Sequence, residues 1–442
     1  MASGSSWLSI WRLAWPLVAS MFLQFAVGLT DVFVAGRFGP SVQGAVGFGG
    51  QVLFLFSVIA NALGVGLVAV VSRNEGAGDS AGAWHAARQG VLLSVLVAGP
   101  LSLAGVLLSP GPEALRFLPP AVARSAEALL PWYGASLLPQ AVLTISAAVF
   151  RARGRAAWVL GTMGFTAVLN LACVFALAFG AGPIPAMGPV GIVVATAGSS
   201  LAGALAALFV LMRQGLAAGR SAWRLDPELA RRLAALGWPV GLLQLGWNLG
   251  GLALYAILGR LGVDAVAATA ALTNGLRIEA VLYLPAFALN MVAAVLVGRS
   301  LGAGHGDEAE TTGWRVAGSA AVVLTLMALP VFAQSRGLAA LLSPDPAVRE
   351  ATHLYLRFNM VSQPFMAFSM CLGGALQGAG DTRGPMTVVL GALWGLRIPL
   401  ALGLALGTTY GSTGVWAAMV SSQVVQGFWM AARFRRGRWK HA

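Results

Sequence analysis

The stretch LAWPLVASMFLQFAVGLTDVFVAGRFG (residues 13–39) decides the fold class of this chain. Between Arg12 and Asp31 the apolar sequence is interrupted by only three polar side chains. A helix of about 20 apolar residues crosses the roughly 30 Å hydrocarbon core of a bilayer. The stretch therefore predicts a transmembrane helix that carries a carboxylate, Asp31, toward its far end.

Apolar segments of this kind recur along all 442 residues. The chain is 58% hydrophobic and 10% charged, and its mean hydropathy is +0.79. An all-α integral membrane protein with twelve transmembrane helices is predicted, although polar residues interrupt the tenth and twelfth segments. The predicted helices lie at residues 10–36, 44–71, 86–108, 126–150, 159–180, 190–213, 233–259, 268–298, 314–336, 350–376, 386–407 and 412–434.

The basic residues are distributed unevenly along the chain. If the N-terminus is cytoplasmic, inside segments hold 19 of the 28 lysines and arginines. This is the asymmetry of the positive-inside rule, and it predicts that both termini are cytoplasmic. We therefore attribute the net charge of +13 to basic residues on the cytoplasmic side of the membrane. We do not interpret it as a sign of nucleic-acid binding. The prediction is a monomeric, multi-pass protein of the bacterial plasma (inner) membrane.

The two halves of the chain repeat each other. Residues 13–39 align without a gap on LGWPVGLLQLGWNLGGLALYAILGRLG (236–262), so that Pro16 matches Pro239. Further matched elements keep the same order, with offsets of 223 to 226 residues. They are VVSRNEGAG (70–78) with LVGRSLGAG (296–304), FRARGRAAWVLG (150–161) with LQGAGDTRGPMT (376–387), and GPVG (188–191) with GSTG (411–414).

The even number of helices in each half fixes how the halves are related. Both halves enter the membrane in the same sense, so they are parallel repeats related by a pseudo-twofold axis along the membrane normal. Two six-helix bundles are predicted, an N-terminal lobe at residues 8–213 and a C-terminal lobe at 233–436. The basic segment 214–232 between them is a cytoplasmic linker. A duplicated scaffold without transport activity is the alternative interpretation.

Several motifs together resemble the multidrug and toxic compound extrusion (MATE) family. They are LAWP (13–16), TDVFVAGRFG (30–39), GVGLVAVVSRNEGAGD (64–79), LRIEAVLYLPAFALNMVAAVLVGRSLGAG (276–304) and LQGAGDTRGPM (376–386). The resemblance covers residues 8–436. It implies a V-shaped fold of two bundles and efflux of drugs or metabolites in exchange for H⁺ or Na⁺. The major facilitator fold is the competitor, but the loop SRNEGAGDSAGAW (72–84) lacks its second basic cluster.

Three functions are weighed against one another. The first is an antiporter that releases an amphipathic, cationic organic compound in exchange for a cation. The second is a lipid or polyprenyl-carrier flippase of a related fold, and the third is a membrane-embedded enzyme. The chain has no paired acidic motif, no GxxxxGK[ST] phosphate loop and no His/Cys cluster, so no enzyme activity, metal or cofactor is predicted. The predicted partners are small organic substrates and the lipid bilayer.

Asp31 is the first candidate for ion coupling. Only Asp31 and Glu279, among 15 acidic residues, lie well within apolar sequence. An ionisable group inside a span is costly and is a functional hypothesis by default. The repeat-mate of Asp31 is Leu254, so the scaffold does not require an acid there. The alternative is an interfacial residue, since Asp31 lies about 28 Å beyond Arg12 along a straight helix.

The resemblance supplies neighbours for Asp31. It implies a cation site formed with Asn170 on span 5 and Thr196 on span 6, and it marks Gln24 as a further polar position. The aspartate that many members carry four residues after Asn170 is Val174 here. This departure favours H⁺ over Na⁺, because a hard cation needs several oxygen ligands. Hydrogen bonding between helices is the alternative role for these polar residues.

Pro16 and four residues of the C-terminal half complete the candidates. Pro16 interrupts the helix below Asp31 and is a candidate hinge, although its match Pro239 also favours a structural role. Glu279 is predicted to face a cavity and attract cationic substrate, with a salt bridge near the outer face as the alternative. Arg397 lies within a span, and a structural role is a simpler interpretation for it than a role in transport. Gln244 and Asn248 are further cavity candidates on span 7.

Overall fold

The computed structural model describes residues 7–108, 115–217 and 223–441. Within these ranges the regular structure is helical, apart from one isolated β-bridge between Ala181 and Ile184. The all-α prediction is thus confirmed for the part of the chain that is described. The predicted linker is described only in part, because residues 218–222 lie outside these ranges, as do the first six residues.

Two compact units make up the chain. The N-terminal unit contains residues 15–238, and the C-terminal unit contains residues 239–442 together with the first residues of the chain, up to Ala14. Both boundaries fall inside long helices, beside Pro16 and at Pro239. The lobe boundaries derived from the repeat, 8–213 and 233–436, remain a prediction.

The N-terminal unit contains most of the first six helices. They are α1 (Trp7–Arg37), α2 (Pro40–Gly76), α3 (Ser80–Leu107), α4 (Pro120–Ala152), α5 (Ala156–Phe179) and α6 (Pro189–Leu211). A π-helical turn, Met212–Leu216, continues α6. Helix α4 is central in this unit, since it packs against α2, α3 and α6.

The C-terminal unit begins within α7 and contains the remaining helices. They are α7 (Pro227–Leu258), α8 (Ala265–Gly302), α9 (Gly306–Ala333), α10 (Ser335–Leu342), α11 (Pro346–Ala379), α12 (Arg383–Leu390), α13 (Ile398–Leu406) and α14 (Gly411–Arg435). A π-helical segment, Gly391–Arg397, joins α12 to α13. Helix α11 is central here, packing against α8, α9 and α14.

Proline and aspartate mark where many of these helices begin. Helices α2, α4, α6, α7 and α11 each start with proline, whose fixed φ suits the first helical position and whose missing N–H would have no partner there. Asp79 caps α3 by accepting from the Gly82 N–H at 2.8 Å, and Asp345 caps α11 by accepting from Val348 at 2.9 Å. These residues define where each helix starts after a short connection.

Ten helices of the described chain are long and apolar enough to cross a membrane. Helices α11 and α14, which correspond to the tenth and twelfth predicted spans, are not among the ten. Their polar side chains pack against each other: Ser362 donates to Gln423, and Gln426 donates to Ser369 at 3.0 Å. Such contacts between helices are worth about 0.6 kcal/mol each in membranes. The low hydropathy of these two helices thus reflects an interior polar seam.

Three details of the predicted helices are corrected by the structure. Several helices extend beyond their apolar cores, as α2 does to Gly76. The ninth predicted span ends early, at Ala333, and a separate short helix, α10, follows it. The eleventh predicted span is a single apolar segment, but its middle is π-helical. Hydropathy detects apolar length and carries no information on helix pitch or on polar end turns.

The linker is fixed to the N-terminal unit at its described residues. The Gln89 side chain on α3 donates to the Arg224 carbonyl at 2.7 Å and accepts from the Asp226 N–H at 3.0 Å. His85 contacts the Asp226 carboxylate at 3.1 Å. Arg88 donates to the Leu216 carbonyl at 3.5 Å. The segment that follows α6 is therefore anchored on the first turns of α3.

Candidate functional site

Asp31 on α1 is bonded to the polar residue that was predicted on α6. The Thr196 hydroxyl donates to Asp31 Oδ2 at 3.1 Å. Both residues are partly buried. The same hydroxyl lies 3.2 Å from the Ile192 carbonyl, one turn earlier on α6. Because a hydroxyl has one hydrogen, it can serve the carboxylate or the carbonyl, and it retains two acceptor positions.

Asn170 on α5 completes a chain of three side chains. Its Nδ2 donates to Thr196 Oγ1 at 3.2 Å, and only 1% of its surface is exposed. Asp31, Thr196 and Asn170 come from three helices, and two hydrogen bonds join them; their role as a cation site stays a prediction. Asp31 Oδ1 and Asn170 Oδ1 are buried and make no hydrogen bond to the described residues. Two oxygen atoms can thus accept a further proton or ligand.

Close helix packing brings these residues together. Gly191, near the start of α6, lies so close to the backbone of Leu177 on α5 that a Cβ atom there would overlap the Leu177 carbonyl. Glycine at this position lets α5 and α6 approach, as small residues do in membrane helices. The rings of Phe38 and Phe179 stack with centroids 5.3 Å apart and fasten the end of α1 to α5.

Val174 lies one turn after Asn170, at the position where the resemblance implies an acid. Its side chain is 0% exposed and belongs to an apolar cluster that includes Val34, Ile192 and Val193. Val34 and Ile192 of this cluster lie one turn from Asp31 and Thr196 along their own helices. An acid at 174 would place a carboxylate in this apolar cluster.

Tyr133 on α4 is a neighbour of this set that the sequence did not predict. Its hydroxyl donates to the Val46 carbonyl at 3.2 Å, and its ring lies against Gly49 on α2. The residue is buried and lies within electrostatic reach of Asp31. The only signal in the sequence was that Tyr133 is one of just five tyrosines. Nothing in its spacing links it to Asp31, which lies about a hundred residues earlier.

Gln24 and Pro16 lie on α1 outside this set of hydrogen bonds. Gln24 is exposed, and its amide nitrogen lies 3.3 Å from Met163 Sδ on α5. It therefore does not join the bonds around Asp31. Pro16 is enclosed within the continuous helix Trp7–Arg37, and its role as a hinge stays a prediction.

The C-terminal candidates fall into two groups. Glu279 and Arg397 are buried, with 1% and 3% of their surfaces exposed. Gln244 and Asn248 lie on the same face of α7, where Asn248 Nδ2 donates to the Gln244 carbonyl at 2.9 Å. Asn248 is exposed, whereas the Gln244 Oε1 atom is buried. Only the first pair is enclosed inside the unit.

An apolar groove lies elsewhere in the N-terminal unit, between α2, α3 and α4. Its volume is about 490 Å³ including the part open to solvent. Phe56, Leu101 and Leu137 contribute to its walls, and Gln140 and Thr144 add polar groups. The residues bonded around Asp31 do not line it. The groove and the polar set are therefore separate features of one unit.

Comparison with known proteins gives consistent matches along the chain. The MatE family model matches residues 16–176 and 239–402. A probable multidrug resistance protein NorM of Thermotoga maritima is 24% identical over 97% of this chain and 92% of its own length. The multidrug resistance protein PmpM of Pseudomonas aeruginosa is 29% identical over 92% of this chain and 87% of its own length.

Solved structures match the fold. The Vibrio cholerae MATE transporter VcmN, crystallised as an aspartate-to-asparagine mutant, superposes with a TM-score of 0.89 at 20% identity, covering 98% of both chains. The bent form of VcmN gives a TM-score of 0.88 at 21% identity, covering 97% of this chain and 96% of that one. The chain therefore shares the fold of these transporters across its length.

Proposed function

We propose that this chain, which belongs to the MatE family, is a secondary transporter that exports amphipathic organic cations in exchange for protons. The observation that carries the proposal is the bonded set of Asp31, Thr196 and Asn170 within otherwise apolar helices. A carboxylate inside a membrane protein is costly unless it is paired, protonated or in use. Its neighbours here are neutral hydrogen-bonding groups, which can serve either protonation state.

The Thr196 hydroxyl explains how both states are accommodated. When Asp31 is ionised, the hydroxyl donates to it and accepts from Asn170. When Asp31 binds a proton, its new O–H can donate to Thr196 Oγ1, and the Thr196 hydrogen turns to the Ile192 carbonyl, 3.2 Å away. The hydroxyl then accepts two hydrogen bonds and donates one, which is its full capacity. Proton uptake thus rearranges hydrogen bonds without leaving a donor unpaired.

The ligand set favours protons over sodium. Asp31, Asn170 and Thr196 supply side-chain oxygen atoms, but Val174 supplies none and packs in hydrocarbon. Hard cations are bound by several oxygens, with carboxylates prominent among them. A single carboxylate is sufficient for a proton. Sodium is accordingly assigned a secondary role.

Alternating access provides the transport step. A protonated Asp31 is neutral and inexpensive to bury, whereas an ionised one favours a hydrated arrangement. A proton gradient can therefore bias two conformations that solvate this one carboxylate differently. Pro16, which interrupts the backbone hydrogen bonds of α1 about four turns before Asp31, is the proposed point of bending.

The substrate class follows from the relatives and from charge. Two matched relatives are named as multidrug resistance proteins. Exchange against a proton at a carboxylate suits a cationic compound, because both carry positive charge. The apolar composition of the helices suits the hydrocarbon part of an amphipathic molecule.

The membrane arrangement extends the proposal. Together with the ten apolar helices, the polar helices α11 and α14 would give twelve spans in two parallel six-helix bundles. The linker and both termini would face the cytoplasm of a bacterial cell, and a monomer would suffice. A cysteine placed at the exposed Glu228 should resist an impermeant maleimide in intact cells and react in inverted vesicles. Labelling in intact cells would show that the orientation is the opposite of the one proposed.

The decisive experiment is transport in proteoliposomes. A pH gradient and a sodium gradient are applied separately, and efflux of a fluorescent organic cation is recorded. We expect the pH gradient alone to drive efflux in the parent, and Asp31→Asn to abolish it while dye binding persists. Glu228→Gln removes an exposed acid from the start of α7 and serves as the matched control. Undiminished gradient-driven efflux by Asp31→Asn at equal protein abundance would refute the proposal.

A further inference from the structure

A second intramembrane carboxyl, Glu279 on α8, lies inside the C-terminal unit with two hydrogen-bond donors. Tyr283, one turn later on the same helix, donates its hydroxyl to Glu279 Oε2 at 3.0 Å. Gln363 on α11 donates its amide to Glu279 Oε1 at 3.4 Å. Donors to both oxygens stabilise the ionised form of a buried carboxyl. Glu279 therefore has an environment built from two different helices.

A buried arginine supplies the positive charge of this environment. Arg397 lies within electrostatic reach of Glu279. Its Nε donates to the Ser422 hydroxyl on α14 at 2.7 Å, and its guanidinium lies 5.3 Å from the ring centroid of Trp247. The Nη2 atom is buried and makes no hydrogen bond to any described residue. Positive charge is thus available to balance an ionised Glu279.

Arg397 also ends the π-helical segment Gly391–Arg397. Such segments are rare and occur frequently at functional sites. The segment interrupts a span that was apolar enough to be predicted as one regular helix. The irregularity therefore ends at the buried arginine that lies within electrostatic reach of Glu279.

Acceptors for a protonated Glu279 are present as well. The Gln363 Oε1 atom belongs to the amide that already contacts Glu279, and it is buried without a hydrogen bond to the described residues. The Tyr355 hydroxyl on α11 is likewise buried, and it interacts electrostatically with Glu279. A hydroxyl and an amide can each accept as well as donate. The surroundings can thus serve a carboxylate and a carboxylic acid.

We propose that Glu279 is a second proton-binding site, located in the C-terminal unit and separate from Asp31. A proton from hydronium bonds to a carboxylate oxygen, giving the neutral acid and water, and the reverse step releases it. Tyr283 and Gln363 donate to the ionised form. Gln363 Oε1 and the Tyr355 oxygen accept from the protonated form, while Arg397 balances the charge. Among the described residues, the titratable and charged groups that act on Glu279 are Tyr283, Tyr355 and Arg397.

The proton site at Glu279 is an inference additional to the proposed antiport. Its role in transport rests on that proposed function, whereas proton binding at Glu279 does not. Under that function it would let the transporter carry a further proton in each cycle. Proton binding itself can be measured without transport. Failure of the antiport would therefore leave the binding result standing, and failure of binding at Glu279 would leave Asp31-dependent transport intact.

Infrared difference spectroscopy of the purified full-length protein provides the test. The carbonyl stretch of protonated carboxyl groups is followed from about pH 4 to about pH 10. We compare the parent with Glu279→Gln, Asp31→Asn and the double variant. Each single variant should lose a different titrating band of a buried carboxylic acid, and the double variant should lose both. Glu350→Gln, which alters an exposed acid on α11, is the control and should retain both bands.

Two further variants test the surroundings and guard against a folding defect. Tyr283→Phe removes a donor to the ionised form and keeps the carboxyl, so more of Glu279 should be protonated at a given pH. Arg397→Gln removes the balancing charge and should act in the same direction. Size-exclusion profiles and thermal unfolding verify that each variant is folded. The proposal is overturned if Glu279→Gln removes no titrating band, or, where that variant does not fold, if Tyr283→Phe leaves every band at its original midpoint.

Discussion

The Thr196 hydroxyl lies 3.1 Å from Asp31 Oδ2 and donates to it, joining α6 to α1. Through the same oxygen it accepts from Asn170 on α5. The neutral side chain of Thr196 thus bridges the Asp31 carboxylate and the Asn170 amide. Hydrogen bonds to charged groups contribute about 1.5–3 kcal/mol, so this contact should affect how Asp31 holds its proton.

Thr196→Val is the first prediction. Valine has nearly the shape of threonine but no donor, so ionised Asp31 loses its described side-chain partner. We expect the initial rate of efflux driven by a pH gradient to fall by roughly tenfold, matching the lower end of the energy of a charged hydrogen bond. Proteoliposome transport at equal protein density measures this. Thr196→Ser keeps the hydroxyl and should retain most of the rate, and equal losses in both variants would show that the hydroxyl is not responsible.

Val174→Asp tests the basis of ion selectivity. The new carboxylate would lie in an apolar cluster, one turn from Asn170. Without a counter-ion it should lower thermal stability, since burying an unpaired charge is costly. Sodium should restore part of the lost stability, because the site would gain a second carboxylate ligand. Thermal unfolding in sodium and in choline is compared, with Val174→Asn as the neutral control. Equal stabilisation by both salts would show that residue 174 is not part of the cation site.

The hydrogen bonds of Gln89 lead to a prediction about how stably the linker is attached to α3. Its side chain makes two hydrogen bonds to the backbone of residues 224 and 226. Gln89→Leu removes both, at about 1 kcal/mol each, so local opening should increase by roughly tenfold or more. Hydrogen exchange of residues 223–229 measures the opening. Glu228→Gln, an exposed change nearby, should leave exchange unaltered. Unchanged exchange in Gln89→Leu would mean that other contacts hold the linker.

Asp226 gives a prediction about pH. Hydrogen bonds from the Leu229 N–H and from His85 lower the pKa of the Asp226 carboxyl below its usual value of 3.8. A carboxyl with a lowered pKa stabilises the folded state at pH values above its unfolded pKa, and this contribution disappears as the pH falls through the native value. The difference in linker hydrogen exchange between parent and Asp226→Asn should therefore persist from neutrality down to about pH 5 and shrink only below about pH 4. A difference that already shrinks between about pH 7 and about pH 5 would contradict this assignment.

Gly134 supplies a prediction about packing. A Cβ atom at Gly134 would overlap the backbone of Gly105 on α3, and Ser102 donates to the Gly134 carbonyl at 2.7 Å. Gly134→Ala should separate α3 from α4 and destabilise the protein by about 1–3 kcal/mol, the usual cost of overpacking. Gly99→Ala is the matched control on α3, since nothing lies within 4 Å of its added Cβ. A thermal unfolding scan that shows no difference between the variants would refute the close contact.

The sequence by itself determined the class of fold and most of the individual candidates. Apolar length predicted helices, because a bilayer favours a hydrocarbon segment that satisfies its own backbone hydrogen bonds. The repeat predicted two matching halves, which stays a prediction, and the cost of intramembrane charge singled out Asp31, Glu279 and Arg397. The resemblance added Asn170 and Thr196, which the structure places beside Asp31.

Only the tertiary structure decided which of these residues meet. Glu279 and Arg397 lie far apart in the sequence, on helices that do not follow one another, and no periodicity links them. Tyr133 and Gln363 carried no distinctive signal, yet Tyr133 lies within electrostatic reach of Asp31 and Gln363 donates to Glu279. Hydropathy depends on each residue's own transfer free energy, whereas hydrogen-bonded contacts depend on helix rotation and on the close approach that glycines such as Gly191 permit.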